Sequence, residues 1–500
     1  MIKALTRERK TFHLSIIKQL TEDYIKELAQ EGRTFFVFTD LGSGHLNVIQ
    51  KYLVNDKTKV VISDHHQIRG IIEENNKERI FHINPLLFGI EDNISGSGVT
   101  YILARAMSPE NRDLSEFGII GAIGDSQTGS IEENWGVSGL NKEILKDAQQ
   151  TGKIKVTRGL RLWGRYTRPL HKALEYSVDP YIPGISGSES GSIQFLKEIG
   201  IEVKKNGEWR CLGDLSEEEQ KKLATGIIKE RVLNNEENPE WIFGDIYELA
   251  EKKKKFSDAG EFATLLNACG KLKKAYLGVA LCLNNKNAFE EAKTILSQYK
   301  KEISNALGCV YNNKMIDEKE QGIYIVAGSK ISDDIISNVV SIIHKSGNLP
   351  EDKPVFGFAD TSDGKVKVSG RAHSFLTNQE FNIKEIIEEI VKGFESEFGG
   401  HPGAAGAVIP KEYQSMFINE CEKSIKRWKE QNNINNKIQQ EQLKVEHGSS
   451  DVKGTGTEGE RKRGNEKEEG REKEEGREKG NSYEKMERKG LVQYFGTENV

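Results

Sequence analysis

Proline is scarce in this 500-residue chain, at 10 positions, and cysteine scarcer still, at 5. The first shortage leaves long stretches free to form uninterrupted helices and strands. The second excludes a disulfide framework. Cys211, Cys269, Cys282, Cys309 and Cys421 are odd in number, widely spaced and never paired as CxxC, so a cysteine zinc site is excluded as well. They read as reduced, mostly buried small side chains. No apolar run approaches the roughly 20 residues needed to cross a bilayer. The opening MIKALTRERKTFHL lacks the apolar core of a secretory signal, and the expected compartment is the cytoplasm. Neither sign of charge prevails: 72 Lys and Arg stand against 77 Asp and Glu, a net −5. Any affinity for phosphate must therefore come from local patches.

What is present is a chain with 36% apolar content, enough for two or three domains. Up to about residue 140 helical and strand-like pieces alternate in βαβ fashion. HLSIIKQ reads as a strand leading into the amphipathic helix of TEDYIKELAQEG; TFFVFTD, KVVISDH and RIFHINP read as strands. LGSGHLNVIQKYLV reads as a Gly-opened helix, SGSGVTYILARAM as a capped one, and FGIIGAIGD as a buried helix or strand. Residues 141–255 are more polar, end in the charged run EKKKK, and read as a helical connector. Residues 256–412 form a second, smaller α/β unit with strand candidates GIYIVAG, PVFGFAD and KVKVSGR around a helical ISDDIISNVVSIIHK. A helix is expected over 413–435. Residues 451–490 then hold 12 basic and 12 acidic residues and a tandem EKEEGR repeat. Such a composition cannot offset chain entropy by burial, so 436–487 is expected to be a disordered tether.

Three short apolar runs each end in aspartate or histidine: TFFVF before Asp40, VVIS before Asp64, His65 and His66, and FGII before Asp125. In an open parallel sheet these positions converge at the carboxyl edge of the strands. Carboxylates and imidazoles together suit Mn²⁺ or Mg²⁺, and two such ions suit in-line phosphoryl transfer. A bridging aspartate fits Asp40; His65 and Asp125 fit terminal ligands. Elsewhere, GGHPGAAG (residues 399–406) reads either as a phosphate cradle or as a tight turn with close packing. Arg371 of VSGRA reads as a further candidate for phosphate contact. KVTRGLRLWGRYTRPLHK spaces Arg161, Arg165, Arg168 and Lys172 with Trp163 and Tyr166, which suits a single strand or, equally, a docking surface between domains. SGSESG (186–191) reads as a phosphate nest or a capped helix start.

The motifs TDLGSG, SDHHQ, GAIGDSQ, RGLRLWGRYTRPLHKAL, DPYIPGISGSESG, FATLLNACGK, KVSGRA and GGHPGAAG resemble those of the DHH phosphoesterase superfamily over residues 1 to about 410. Within it the chain is most similar to archaeal RecJ-like nucleases, including the type associated with the GINS replication complex. The resemblance implies a doubly wound parallel-sheet DHH domain over 1–140 and a DHHA1 domain over 256–412. It further implies Asp40 bridging two Mn²⁺ ions, His65 and Asp125 on one of them, Asp64 supporting the histidines and His66 near the scissile phosphate. The DHHA1 residues Arg371, Gly399, Gly400, His401 and Gly403 would grip a single strand opposite the metals.

The family's opening DxDG motif has no counterpart here, and the first domain is expected to be N-terminally incomplete, with the absent strand central in its sheet. Near the other end, Arg488 to Phe495 resembles a sliding-clamp-binding box whose anchors are Leu491, Tyr494 and Phe495, with Arg488 where the usual glutamine stands. The leading expectation is a metal-dependent exonuclease that hydrolyses single-stranded DNA or short RNA to mononucleotides in replication or repair. The alternatives are a catalytically silent replisome scaffold bound to GINS, helicase and clamp, and a phosphodiesterase for small dinucleotides.

Overall fold

The computed structural model describes residues 1–448 apart from 91–93, 129–135, 178–179, 235, 237, 253–255, 346–348 and 394–395, with side chains as far as residue 432. The tether beyond 448 and the Leu491, Tyr494 and Phe495 anchors lie outside the described residues. The described chain divides into two compact units, residues 1–267 with 278–284, and residues 268–277 with those from Asn285 onward.

The first unit is built on three parallel strands, β1 (Phe35–Thr39), β2 (Lys59–Ser63) and β3 (Ile80–Ile83), lying side by side in chain order. Aromatic and β-branched residues favour this pleated, half-buried state. Phe36, Phe38, Val60, Ile62 and Ile80 bury one continuous core with Ile25 and Leu28 of the Glu22–Gln30 helix and Leu46 and Ile49 of the Leu46–Tyr52 helix. β1 pairs directly with β2 and β2 with β3. Among the described residues β1 is an edge strand of this sheet.

One apolar run departs from expectation, and another takes one of its two expected forms. HLSIIKQ forms no strand; Phe12, Leu14 and Ile16 are exposed. FGIIGAIG is the helix Ser115–Gly124, buried along Gly118, Ile119, Ile120 and Ala122. A short wholly apolar run carries no periodicity to separate helix from strand.

The region expected as a helical connector also contains strands. Ile154–Leu160 pairs antiparallel with Phe243–Leu249 across some 80 intervening residues, and Lys204–Lys205 with Glu208–Trp209. The first of these pairings spans too long a separation to leave a local signal. Leu162, Leu170, Leu174, Phe195, Leu223 and Ile242 share its own core.

The second unit carries a six-stranded mixed sheet. Val355–Asp360 is parallel to Ile323–Gly328 and antiparallel to Lys365–Arg371, and the Ala404–Pro410 strand joins beyond. The Gln414–Gly448 helix overruns the expected tether boundary at 436 by a dozen residues, through a stretch rich in Gln, Lys and Glu, all good helix formers. All five cysteines are free; Cys269 and Cys421 are buried, whereas Cys211, Cys282 and Cys309 are only half-buried.

GGHPGAAG is a hairpin: Glu397–His401 pairs with Ala404–Pro410, His401 opposite Ala404, and Pro402 and Gly403 make the turn. Its glycines divide by cause. A Cβ on Gly400, at φ 138°, would lie 2.4 Å from the Ala404 carbonyl oxygen, and one on Gly406 2.6 Å from that of Val368. A Cβ on Gly399 would meet nothing within 4 Å. Gly400→Ala and Gly406→Ala should therefore each destabilise the second unit by about 2 kcal/mol, and Gly399→Ala by less than about 0.5 kcal/mol. Urea unfolding of the full chain checks this; equal losses at all three positions would contradict it.

Candidate metal centre

The carboxyl edge of the three-stranded sheet gathers the sequence motifs. Asp40 follows β1 directly and takes a left-handed backbone, φ 63°, which turns the chain off the sheet while its N–H still donates to the Ser63 carbonyl at 2.9 Å. Aspartate is among the few residues that tolerate that region. Its carboxylate occupies the space above Gly96, at the start of the Gly96–Met107 helix; a Cβ there would stand 2.0 Å from Oδ1. Position 96 admits no side chain while Asp40 keeps this place.

Asp64, first residue after β2, is 1% exposed. Its Oδ1 accepts from the His65 N–H at 2.8 Å, the His66 N–H at 3.3 Å and the His66 ring at Nδ1, 2.7 Å away; Oδ2 accepts from the Ser43 N–H at 2.9 Å. Burial alone would raise this carboxyl, but the His66 imidazole and the backbone donors outweigh it and hold the group well below the usual carboxylate range. In turn Asp64 raises His66 above the ordinary histidine value, against the opposing effect of burial. With Nδ1 so engaged, Nε2 is the nitrogen that the neutral ring has left to offer a cation.

His65 Nε2 lies 3.4 Å from Asp40 Oδ1 and 4.0 Å from Asp125 Oδ2, and the two imidazoles meet edge to face with centroids 4.4 Å apart. Ligating atoms of Asp40, His65 and His66 all fall within 4.8 Å of one another. One carboxylate oxygen and two imidazole nitrogens at that spacing suit a borderline cation such as Mn²⁺. The structure thus groups His66 with Asp40 and His65. Asp125, at the end of the Ser115–Gly124 helix, stands just outside that triad and accepts from Gln127 at 2.8 Å.

Below these groups are residues that the sequence reading passed over. Ser43, His82 and Asn84 are buried. Ser43 Oγ is 2.8 Å from His82 Nε2 and accepts from Asn84 Nδ2 at 2.9 Å; the same amide donates to the His66 carbonyl at 2.8 Å. Burial lowers His82 to about 4. The available signal was a histidine inside the apolar run RIFHINP, which by itself reads as packing.

The basic aromatic segment is largely committed internally. Arg165 is buried and donates to the Leu160 carbonyl at 3.3 Å, so the expectation that it faces a nucleic acid is corrected. Arg161 donates twice to the Trp241 carbonyl, at 3.0 and 2.9 Å. Arg168 lies over the Tyr176 ring, its pKa lowered by burial. The hydroxyl of Tyr166 donates to Glu248 at 2.8 Å. SGSESG is a capped helix start, Ser188 Oγ accepting from the Gly191 N–H at 3.0 Å. In the second unit, Arg371 donates to Ser341 Oγ at 2.8 Å and to the Gly370 carbonyl at 2.7 Å, and burial lowers its pKa. His401 is exposed on the hairpin; Gly399 and Gly403 have room around them, whereas Gly400 is required by the hairpin itself.

Comparison with known proteins adds to this geometry. A DHH-CID domain model matches residues 162–240, and a DHHA1 domain model residues 319–428. An uncharacterized protein of Methanocaldococcus jannaschii is 31% identical over 432 residues, covering 85% of this chain and 89% of the relative. In fold, the chain is similar to CDC45 from Entamoeba histolytica, with a TM-score of 0.56, 10% identity and coverage of 85% of this chain and 92% of that one. It is also similar to RecJ from Thermus thermophilus, solved in complex with Mn²⁺, with a TM-score of 0.50, 14% identity and coverage of 85% and 49%. The chain therefore spans about half the length of that RecJ. Among the described residues, no helix is long and apolar enough to cross a membrane.

The Asp64–His66 pair makes stability depend on pH in a defined sense. Asp64 is depressed, so its contribution is present above its unfolded value, near 3.8, and is lost as pH falls through the folded one. His66 is raised, so its contribution is complete below about 6.5 and is lost as pH climbs through the folded value. Asp64→Asn should cost about 2 kcal/mol between pH 5 and 6, narrowing towards both extremes. Urea unfolding of both proteins against pH checks it, and a pH-independent difference would contradict the assignment.

Proposed function

We propose, from the premise that this chain belongs to the RecJ-like side of the DHH/DHHA1 superfamily, that it is a divalent-cation-dependent phosphodiesterase acting on single-stranded DNA or short RNA. The observation that carries this reading is the convergence of Asp40, His65 and His66 ligating atoms within 4.8 Å. A scaffold has no need of three such groups at a sheet edge, nor of a buried Asp64 spent on orienting one of them. Asp40, His65 and His66 would hold the cation, with Asp125 beside His65 as a further oxygen donor. When bound, such a cation activates water and neutralises phosphoryl charge.

The protein's own part is to orient and to bind. Asp64 fixes the His66 ring through Nδ1, and the left-handed turn at Asp40 brings its carboxylate to His65. In the second unit, the half-buried Arg371 guanidinium is held by Ser341 Oγ and the Gly370 carbonyl and suits a backbone phosphate. Exposed His401, beside the open positions Gly399 and Gly403, adds a polar contact. A role in replication or repair, together with binding to GINS and, through Leu491, Tyr494 and Phe495, to a sliding clamp, belongs to the same proposal.

The likeness to CDC45 favours a second reading, a silent scaffold on the same frame. One assay separates them. The full chain with Mn²⁺ should shorten end-labelled single strands, and Asp40→Ala should lower the rate about a hundredfold or more. A chain that takes up Mn²⁺ but leaves DNA and RNA strands intact would favour the scaffold. Equal hydrolysis by wild type and Asp40→Ala would show that the activity arises elsewhere.

A further inference from the structure

A second tier of polar side chains lies directly beneath the ligand cluster. Ser43, His82 and Asn84 are 0%, 1% and 0% exposed. They come from three places, the turn after β1, the body of β3 and the residue just beyond β3. Polar groups in such a position carry a desolvation cost that apolar residues of the same volume would not. Their hydrogen bonds therefore show what they are for.

The direction of the bonds from the Asn84 amide and the Ser43 backbone follows from their chemistry. The Asn84 amide nitrogen has only protons to give, and it gives them to Ser43 Oγ at 2.9 Å and to the His66 carbonyl at 2.8 Å. The orientation of the amide is set independently, because Asn84 Oδ1 accepts from the Leu86 N–H at 3.1 Å. Ser43 Oγ shares a further hydrogen bond with His82 Nε2 at 2.8 Å. Burial keeps the His82 ring neutral, so it meets the hydroxyl without a buried charge. The Ser43 backbone N–H meanwhile donates to Asp64 Oδ2 at 2.9 Å. Both arms of the network thus end on the same object: one on the carboxylate that holds the His66 ring, the other on the His66 main chain.

We propose that Ser43, His82 and Asn84 are positioning residues, a buried hydrogen-bond bracket that fixes Asp64 and the His66 backbone so that His66 presents Nε2 beside Asp40 and His65. The inference rests on the metal-site reading above. It assigns the bracket no contact with substrate or cation. Hydrogen-bonded supports of this kind set ligand orientation, and their loss typically weakens metal affinity about 10- to 100-fold.

The test uses the full chain and Mn²⁺ alone, read by the electron paramagnetic resonance signal of free Mn²⁺ and by calorimetry, with no nuclease assay. Ser43→Ala and His82→Leu should weaken Mn²⁺ binding about 10- to 100-fold. His82→Gln, whose side-chain amide can still hydrogen-bond the Ser43 hydroxyl, should stay within about threefold of wild type. Melting temperatures of the metal-free proteins supply the contrast, since a packing role would move these and leave Mn²⁺ affinity alone. If Ser43→Ala fails to fold, the His82→Gln and His82→Leu pair decides. Wild-type affinity in Ser43→Ala and His82→Leu, while Asp40→Ala loses binding, would overturn the bracket and spare the metal site. Absence of any Mn²⁺ uptake sensitive to Asp40→Ala would overturn the metal reading and the bracket with it.

Discussion

A carboxylate shut away from water must be surrounded by donors, and the first unit is organised around meeting that demand at Asp64. Its four hydrogen bonds draw in the turn after β1, the two residues that follow it and one imidazole ring. Moving any of these would strand a buried charge, at a cost of several kcal/mol. The loop carrying Asp40 and the loop carrying His65 and His66 are consequently held as one piece. The regular part of the unit, three parallel strands packed on two flanking helices, brings those loops within reach of each other.

This arrangement separates two questions that the fold alone leaves joined. Solved proteins on this frame include a RecJ in complex with Mn²⁺ and CDC45. At 10 to 14% identity they share architecture and nothing narrower. The distinction between chemistry and scaffolding must lie in the few side chains at the sheet edge. In this chain the ones described there retain ligand-type atoms, mutual proximity and an orienting carboxylate.

Much of this was legible beforehand, and the parts that were not share a physical cause. TFFVF, VVIS and RIFHI are β-branched or aromatic and flanked by turn formers, so strand and strand end could be read locally. Asp40, Asp64, His65 and His66 inherited their positions from those strands. FGIIGAIG could not be assigned because a fully buried run shows no period, and HLSIIKQ has the alternation of a strand yet forms none. Arg165 looked like a surface cation; its carbonyl partner at Leu160 exists only once the Ile154–Leu160 strand and the turn after it have formed. His82 and Ser43 were unreadable for the same reason, since 39 residues separate them in sequence and 2.8 Å in space. Local chemistry is written in the chain. Pairings across long separations are not.

Gly96 gives this a further turn. Its bare α-carbon is the floor on which the Asp40 carboxylate rests, and the nearest ångström of that floor belongs to no side chain at all. A ligand set is usually recognised by the residues that touch the ion; here a hydrogen atom 56 positions along the chain is as much part of the specification as any imidazole. In a related sequence that keeps aspartate and both histidines but bears a larger residue at this glycine, the motif would be intact on paper and displaced in space. The glycine is thus a silent letter of the signature, and reading it separates chains that only spell the site from chains with room to form it.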